Sequence, residues 1–185
     1  MTGIAEIENG ILARLKAAGE AGVLGYKFRA LESYPADFDQ YLKEKIKGDA
    51  FPAAWVVFGG WRGPVDQGST LQADAAFGVV VAAKNVRNET AQRHGAGRPA
   101  EPGSYQLMMD VARLIHGHDL GLDIGRLRLG ACQSIRPTAT ILEQKLSLYA
   151  LQFATALPIE VASFGGSGIG DFSAFHAYWD LPPLG

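Results

Sequence analysis

What the chain has little of narrows its chemistry first. Its 185 residues include one cysteine, Cys132. A lone cysteine excludes an internal disulfide and any cysteine-based zinc cluster. It stands in "RLRLGACQSI", a strand-like run, and is expected to be a buried structural thiol. Charged residues make up only 19%, against 48% hydrophobic, so part of this lean surface is expected under a partner. An excess of one charge is missing too. With a net charge of −2, no general attraction to nucleic acid or anionic membrane is indicated. No apolar run approaches the roughly 20 residues of a membrane helix. "MTGIAEIENGILARL" opens with acids where a secretion signal has a basic segment and an apolar core. The expected setting is a reducing, soluble compartment, and the length suits one domain with a sizeable core.

Catalytic and cofactor motifs are missing as well. The glycine-rich "FGGSGIGDFSAFHAYWDLPP", Phe164 to Pro183, invites a phosphate-loop reading and fails it. In Gly166-Ser167-Gly168-Ile169-Gly170 the third glycine comes one residue too soon for a dinucleotide fingerprint, and no long helix can follow. No Lys-Ser/Thr follows for a Walker loop, and Ile169 occupies the last glycine position of a nucleophile elbow. A hinge leading to an apolar arm fits these residues better. "HGHD", His116 to Asp119, is the best metal candidate, but histidines at a helix C-terminus suit its dipole, with Gly117 as the cap. The pairs Asp37/Asp39 and Glu6/Glu8 fall on or beside solvated helix faces. No catalytic residue, metal ligand or cofactor is assigned.

Periodicity supplies the architecture. Ile4, Ile7, Ile11, Leu12 and Leu15 recur at helical spacing, ahead of "AAGEAG", with early Glu and late Arg/Lys suiting the dipole. "GYKFRALESY" reads as a strand, Tyr26 and Phe28 on one side. Pro35 then opens a short helix through Phe38, Tyr41, Leu42 and Ile46, closed by Gly48. "FPAAWVVFGG" reads as a buried strand and "WRGPVDQGS" as a turn. "TLQADAAFGVVVAAKN" alternates, placing Leu71, Ala73, Ala75, Phe77, Val79 and Val81 on one face, so the two strands form an antiparallel hairpin. Residues 85–103 are a long polar loop, of a length that is usually functional or disordered. From Lys84 to Arg98 four Lys/Arg face one Glu, a balance of +3. Ser104 is the expected N-cap of a helix with Leu107, Met108, Val111, Leu114 and Ile115 on its apolar stripe. "GRLRLGACQSIR" and "ILEQKLSLYALQFATAL" read as the last two strands, Pro158 ending the second. The sum is an α+β fold: an antiparallel or mixed sheet of about five strands, two main helices on one face, and a C-terminal arm. The expected division is a single domain over 1–158 and an arm over 159–185.

The succession of "IENGILARLKAA", "ESYPADFDQYLK", "AAWVVFGG", "VVVAAKNVRNE", "SYQLMMDVARLIHG" and "LYALQFATAL" resembles the small neck protein of Mu-like phages and prophages, encoded just ahead of the tail sheath or tube genes. The similarity spans about residues 4 to 157, and "ESYPADFDQYL" is its most specific piece. The resemblance implies a tail terminator: a six-membered ring of α+β domains on the head-proximal end of the tail. Such a ring stops tube growth and offers the head connector a docking face. Partners would be further copies of the chain, the tail tube and sheath, and the connector, with DNA only as cargo through the lumen and no membrane. The place would be the virion neck, with the host cytoplasm during assembly. No catalytic residues come with the resemblance.

The expected interface residues are Arg87, Arg93 and Arg98 in the long loop, Trp61 and Arg62 in the hairpin turn, and the arm's Phe164, Phe172, Phe175, Tyr178 and Trp179. Glycine frees the arm to leave its own domain, and aromatics are typical interface anchors. Two other readings compete. One is a small hydrolase with a pocket under the 85–103 loop. The other is a monomeric adaptor that binds a peptide or nucleic acid through it.

Overall fold

A computed structural model describes residues 2–44, 50–66, 70–84, 102–136, 138–143 and 145–160. The elements in chain order are α1 (Ile4–Glu20), β1 (Ala30–Ser33), α2 (Phe38–Glu44), β2 (Ala53–Asp66), β3 (Thr70–Lys84), α3 (Ser104–Ile115), β4 (Arg128–Ser134), α4 (Ala139–Glu143) and β5 (Leu146–Glu160). The strands form one mixed sheet ordered β1-β2-β3-β5-β4. Only β1 and β2 run parallel; the other pairs are antiparallel. This is the expected α+β sheet, and β2 and β3 are the expected hairpin.

Helix ends follow local chemistry. The Glu6 carboxylate accepts from the Gly3 N–H at 2.7 Å, satisfying a donor the first turn leaves free. At the other end Gly22 takes φ +73. The Val23 N–H bonds to Ala18 O at 3.1 Å and the Gly22 N–H to Gly19 O at 3.3 Å, the paired bonds of a Schellman turn. No basic residue stands in this last turn, so the dipole complement expected there is absent. Ser104 is not the cap of α3. Gly103 is, and the fully buried Ser104 hydroxyl bonds to the Ser147 hydroxyl at 2.8 Å.

α1 and α3 lie on one face of the sheet. Ile7, Ile11, Leu15, Leu107, Val111 and Ile115 meet Val56, Phe77, Val79, Val81, Leu151 and Phe153 in the main core. The opposite face carries a second core, which sequence periodicity did not reveal. There α2 and α4 place Phe38, Leu42 and Ile141 over Trp55, Val80, Ala82 and Leu148. Phe38 stacks on Tyr34 with centroids 4.7 Å apart and meets Trp55 edge-on at 5.0 Å. Tyr41 donates to Glu32 at 2.9 Å.

Several expected boundaries move. The strand expected through Tyr26 and Phe28 begins only at Ala30. Tyr26 and Phe28 leave the sheet and pack edge to face at 5.5 Å beside the main core. The turn expected over 61–69 is strand as far as Asp66. Irregularities between Phe58 and Gly60 and between Arg62 and Val65 absorb the glycines and Pro64, which regular pairing does not. The last apolar run splits. Residues 139–143 form a helical turn, Lys145 takes φ +53, and the strand starts at Leu146. That strand continues through Pro158, opposite Gln72, to Glu160. Cys132 is exposed, not buried, because β4 is an edge strand exposed along its whole length.

Candidate interaction surfaces

Among the described residues, the buried polar groups are engaged in holding the fold. The Tyr26 hydroxyl donates to Asp110 Oδ2 at 3.1 Å. Burial, then the Asp110 charge and this hydrogen bond, push the phenol pKa far above its ordinary value. The Arg113 guanidinium lies 3.6 Å from the same carboxylate. Arg14 Nε donates to Leu114 O, tying α1 to the end of α3. Thr155, fully buried, donates to Gly125 O. Among the described residues no buried side-chain polar atom lacks a partner.

His116 and His118, the metal candidates, are turned to local work. His116 Nδ1 accepts the Leu129 N–H at 3.1 Å, and His118 Nδ1 accepts the Leu120 N–H at 3.0 Å. Gly117 between them has φ +76, as a residue just past a helix end often does. The Asp119 carboxyl is held below its ordinary range, chiefly by the Gly121 N–H. No cluster of three or more His, Cys, Asp or Glu residues suited to a metal occurs among the described residues. None of the described helices is long and apolar enough to cross a membrane.

Several surfaces remain open among the described residues. The first is the distal end of the β2–β3 hairpin, where residues 61–66 are all exposed. Trp61 and Arg62, expected at an interface, stand here on opposite faces. Trp61 is 48% exposed and leans on Phe58 at 5.8 Å. Arg62 lies opposite Asp74 in the strand register. The second surface is β4, whose outer edge has no strand beside it. Leu129 is 39% exposed there. Cys132 is accessible too, although partial screening by its neighbours pushes its thiol pKa up. The exposure of β4 was not visible in its apolar composition, because strand order decides which strand lies at the edge.

The third surface is the part of the sheet that α2 and α4 do not reach. Val57, Gly59, Ala76, Gly78, Ala131 and Gln152 border a shallow groove of about 270 Å³. Its floor is low because its residues are small. Gly78 leaves room for Val57, since a Cβ there would lie 2.9 Å from the Val57 Cγ1 and would force that side chain to shift. Beyond the groove Arg128 pairs with Asp74 at 3.2 Å. A further groove of about 490 Å³ runs along α1 between Ala13, Ala17 and Leu120.

The other expected interface residues, Arg87, Arg93, Arg98, Phe164, Phe172, Phe175, Tyr178 and Trp179, lie outside the described residues. So does most of the loop under which a hydrolase pocket was an alternative.

Comparison with known proteins adds family and fold. No curated protein matches the chain. Among solved structures, a chain of the "Virion of native gene transfer agent (GTA) particle" is similar, with a TM-score of 0.52 at 13% identity. The match covers 83% of this chain and 95% of that one. At such identity the likeness is one of fold. The family model described as "Bacteriophage Mu, Gp37" matches residues 3–157, a span from the start of α1 almost to the end of β5, and the chain belongs to that phage family.

Proposed function

We propose that this protein is a structural component of a phage virion, and within it the tail terminator. On this reading it is not an enzyme. Copies of one α+β domain close into a ring, six by the family resemblance, at the head-proximal end of the tail tube. The ring ends tube growth and presents a face to the head connector, and residues 161–185 act as an arm that docks outside their own domain. The observation that carries the reading is the family match across residues 3–157. The fold shared with a chain of a gene transfer agent virion supports it.

The geometry suits a ring. The sheet is open, with different strands, β1 and β4, at its two edges. Two unlike sides are what a head-to-tail interface needs, and such an interface closes when its rotation fits. Among the described residues the open surfaces are apolar or of mixed charge and carry no basic stripe of the kind a nucleic-acid reader has.

Disrupting the gene in a producing phage or prophage tests the reading by electron microscopy of the particles. The expected result is tails of uncontrolled length, unjoined to heads, restored to normal by the gene in trans. Tails of normal length joined to heads would overturn it. In solution the assembled form should have several times the 19.7 kDa mass of the chain.

A further inference from the structure

We infer that the bare sheet groove bordered by Val57, Ala76, Gly78 and Gln152 is the socket for residues 161–185 of a second copy of this chain. The inference rests on the ring reading above and adds where the arm goes.

Size is the first argument. The groove is floored by glycine and alanine, and Ala76 and Gly78 are only half-buried on a sheet whose neighbouring residues are packed. Low positions on a flat sheet leave room for large side chains. Residues 161–185 supply them: Phe164, Phe172, Phe175, Tyr178 and Trp179. Each aromatic withdrawn from water contributes favourable burial, and aromatics seated in a preformed recess are the usual anchors of an interface.

Charge is the second. The segment 161–185 contains Asp171 and Asp180 and no Lys or Arg. The sheet face just beyond the groove carries Arg128 and Arg62 beside Asp74, with Glu160 farther on at the end of β5. Acid on the arm therefore meets net positive charge beside the socket, which fixes orientation more than affinity.

Direction is the third, and it favours a second copy. β5 delivers the chain away from the groove. Its last residue, Glu160, pairs with Thr70, eight register positions past the Gln152–Gly78 pair at the groove. At strand rise that is about 26 Å. To fill its own groove the segment must reverse and retrace that distance. An adjacent copy placed ahead of the sheet tip receives it without a reversal. The eleven residues between Glu160 and Phe172, when extended, let the chain span up to about 40 Å.

Cross-linking in the full-length chain tests this. Ala76→Cys and Ala174→Cys are combined in a Cys132→Ser background, and the oxidised protein is run on a non-reducing denaturing gel. The expected result is a ladder of covalent oligomers from the double variant. Neither single variant should give bands beyond a dimer, and Ala76→Arg, which fills the groove, should remove the ladder when Ala174→Cys is paired with Gln152→Cys. A fast-migrating monomer, the mark of a link within one chain, overturns the inference, as does the absence of any link. Light scattering on the same samples separates the two readings. An oligomer without the link leaves the ring standing and removes the socket. A monomer linked within itself removes the socket and also the support that self-association in solution would give the ring.

Discussion

The two faces of the sheet are built from alternate residues of the same strands, yet they are buried differently. Along β3, Ala75, Phe77, Val79 and Val81 on the α1/α3 side are all fully buried. On the other side Val80 and Ala82 are buried, but Gly78 and Ala76 only half so. Helix length explains the difference. α1 has 17 residues, about 25 Å, whereas α2 has seven, about 10 Å. β3, at 15 residues, extends about 50 Å. Two short helices cover one end of that length and leave the other open. Under helices the sheet carries Trp55, Phe77, Val79, Val80 and Val81 among smaller residues, whereas the groove is floored by Ala76 and Gly78. One face is thus a core along Ala73–Val81, open only near the hairpin end at Trp61, and the other is half core and half surface.

The largest effects test whether both covered regions are true cores. Phe77→Ala on the long-helix side should cost about 3–5 kcal/mol, through lost burial and the cavity left behind. Trp55→Ala, beneath α2, should cost a similar amount, about 3–5 kcal/mol, because Trp55 is fully buried among Phe38, Tyr41 and Val80. Urea titration followed by circular dichroism measures both. A Trp55→Ala loss below about 1 kcal/mol would show that the short-helix side is only loosely packed and would break the comparison.

A smaller effect separates the sides by pH. Tyr26 belongs to the long-helix side, and its pKa is raised, first by burial and then by Asp110. Tyr34 and Tyr41, on the short-helix side, are raised as well, first by burial. A phenol whose folded pKa exceeds its unfolded one binds its proton more tightly when folded. Its contribution is complete below the ordinary value of 10.0 and falls as the pH rises above it. Stability should therefore drop on the alkaline side of about pH 10. Tyr26→Phe should cost about 1–2 kcal/mol at neutral pH, where it leaves Asp110 without that donor. It should also flatten the alkaline fall more than Tyr34→Phe does. Denaturation midpoints at pH 7 and above pH 10 decide this, and an equal alkaline slope in both variants would contradict the assignment.

The same contrast explains what was legible in the sequence. α1, α3 and β3 were readable because each presents one apolar face to one large core, and a single period records that. The short helices were harder. α4 hides inside an apolar run, since Ile141 and Leu146 both feed the second core and no period of one element links them. β1 was read too long because Tyr26 and Phe28 are buried without being strand, and burial alone leaves the same alternating trace. β2 was read too short because Gly59, Gly60, Gly63 and Pro64 are turn-forming residues that here sit in an irregular strand. Cys132 was misplaced because an apolar strand at a sheet edge resembles one in the middle. Of the expected interface only Trp61 and Arg62 fall among described residues. Nothing in the sequence pointed to the groove, since small residues spread over four strands carry no local period.

The smallest expected effect is the sharpest test of the open half. Ala76→Thr places a residue of good strand propensity on the uncovered face, opposite Gly60 and Ala154. If that surface is free in the isolated full-length chain, the substitution should change stability by no more than about 0.5 kcal/mol. Val79→Thr lies on the same strand but faces the long helices, where Val79 is fully buried. It puts a hydroxyl into a closed core and should cost about 1–3 kcal/mol. Thermal melts of the two variants beside the parent chain measure the difference between the faces directly. An Ala76→Thr loss matching that of Val79→Thr in a monomeric sample would mean that the chain's own segment already lies over the groove. The short-helix face would then be covered as far along β3 as the long-helix face, and the contrast drawn from helix length would be wrong.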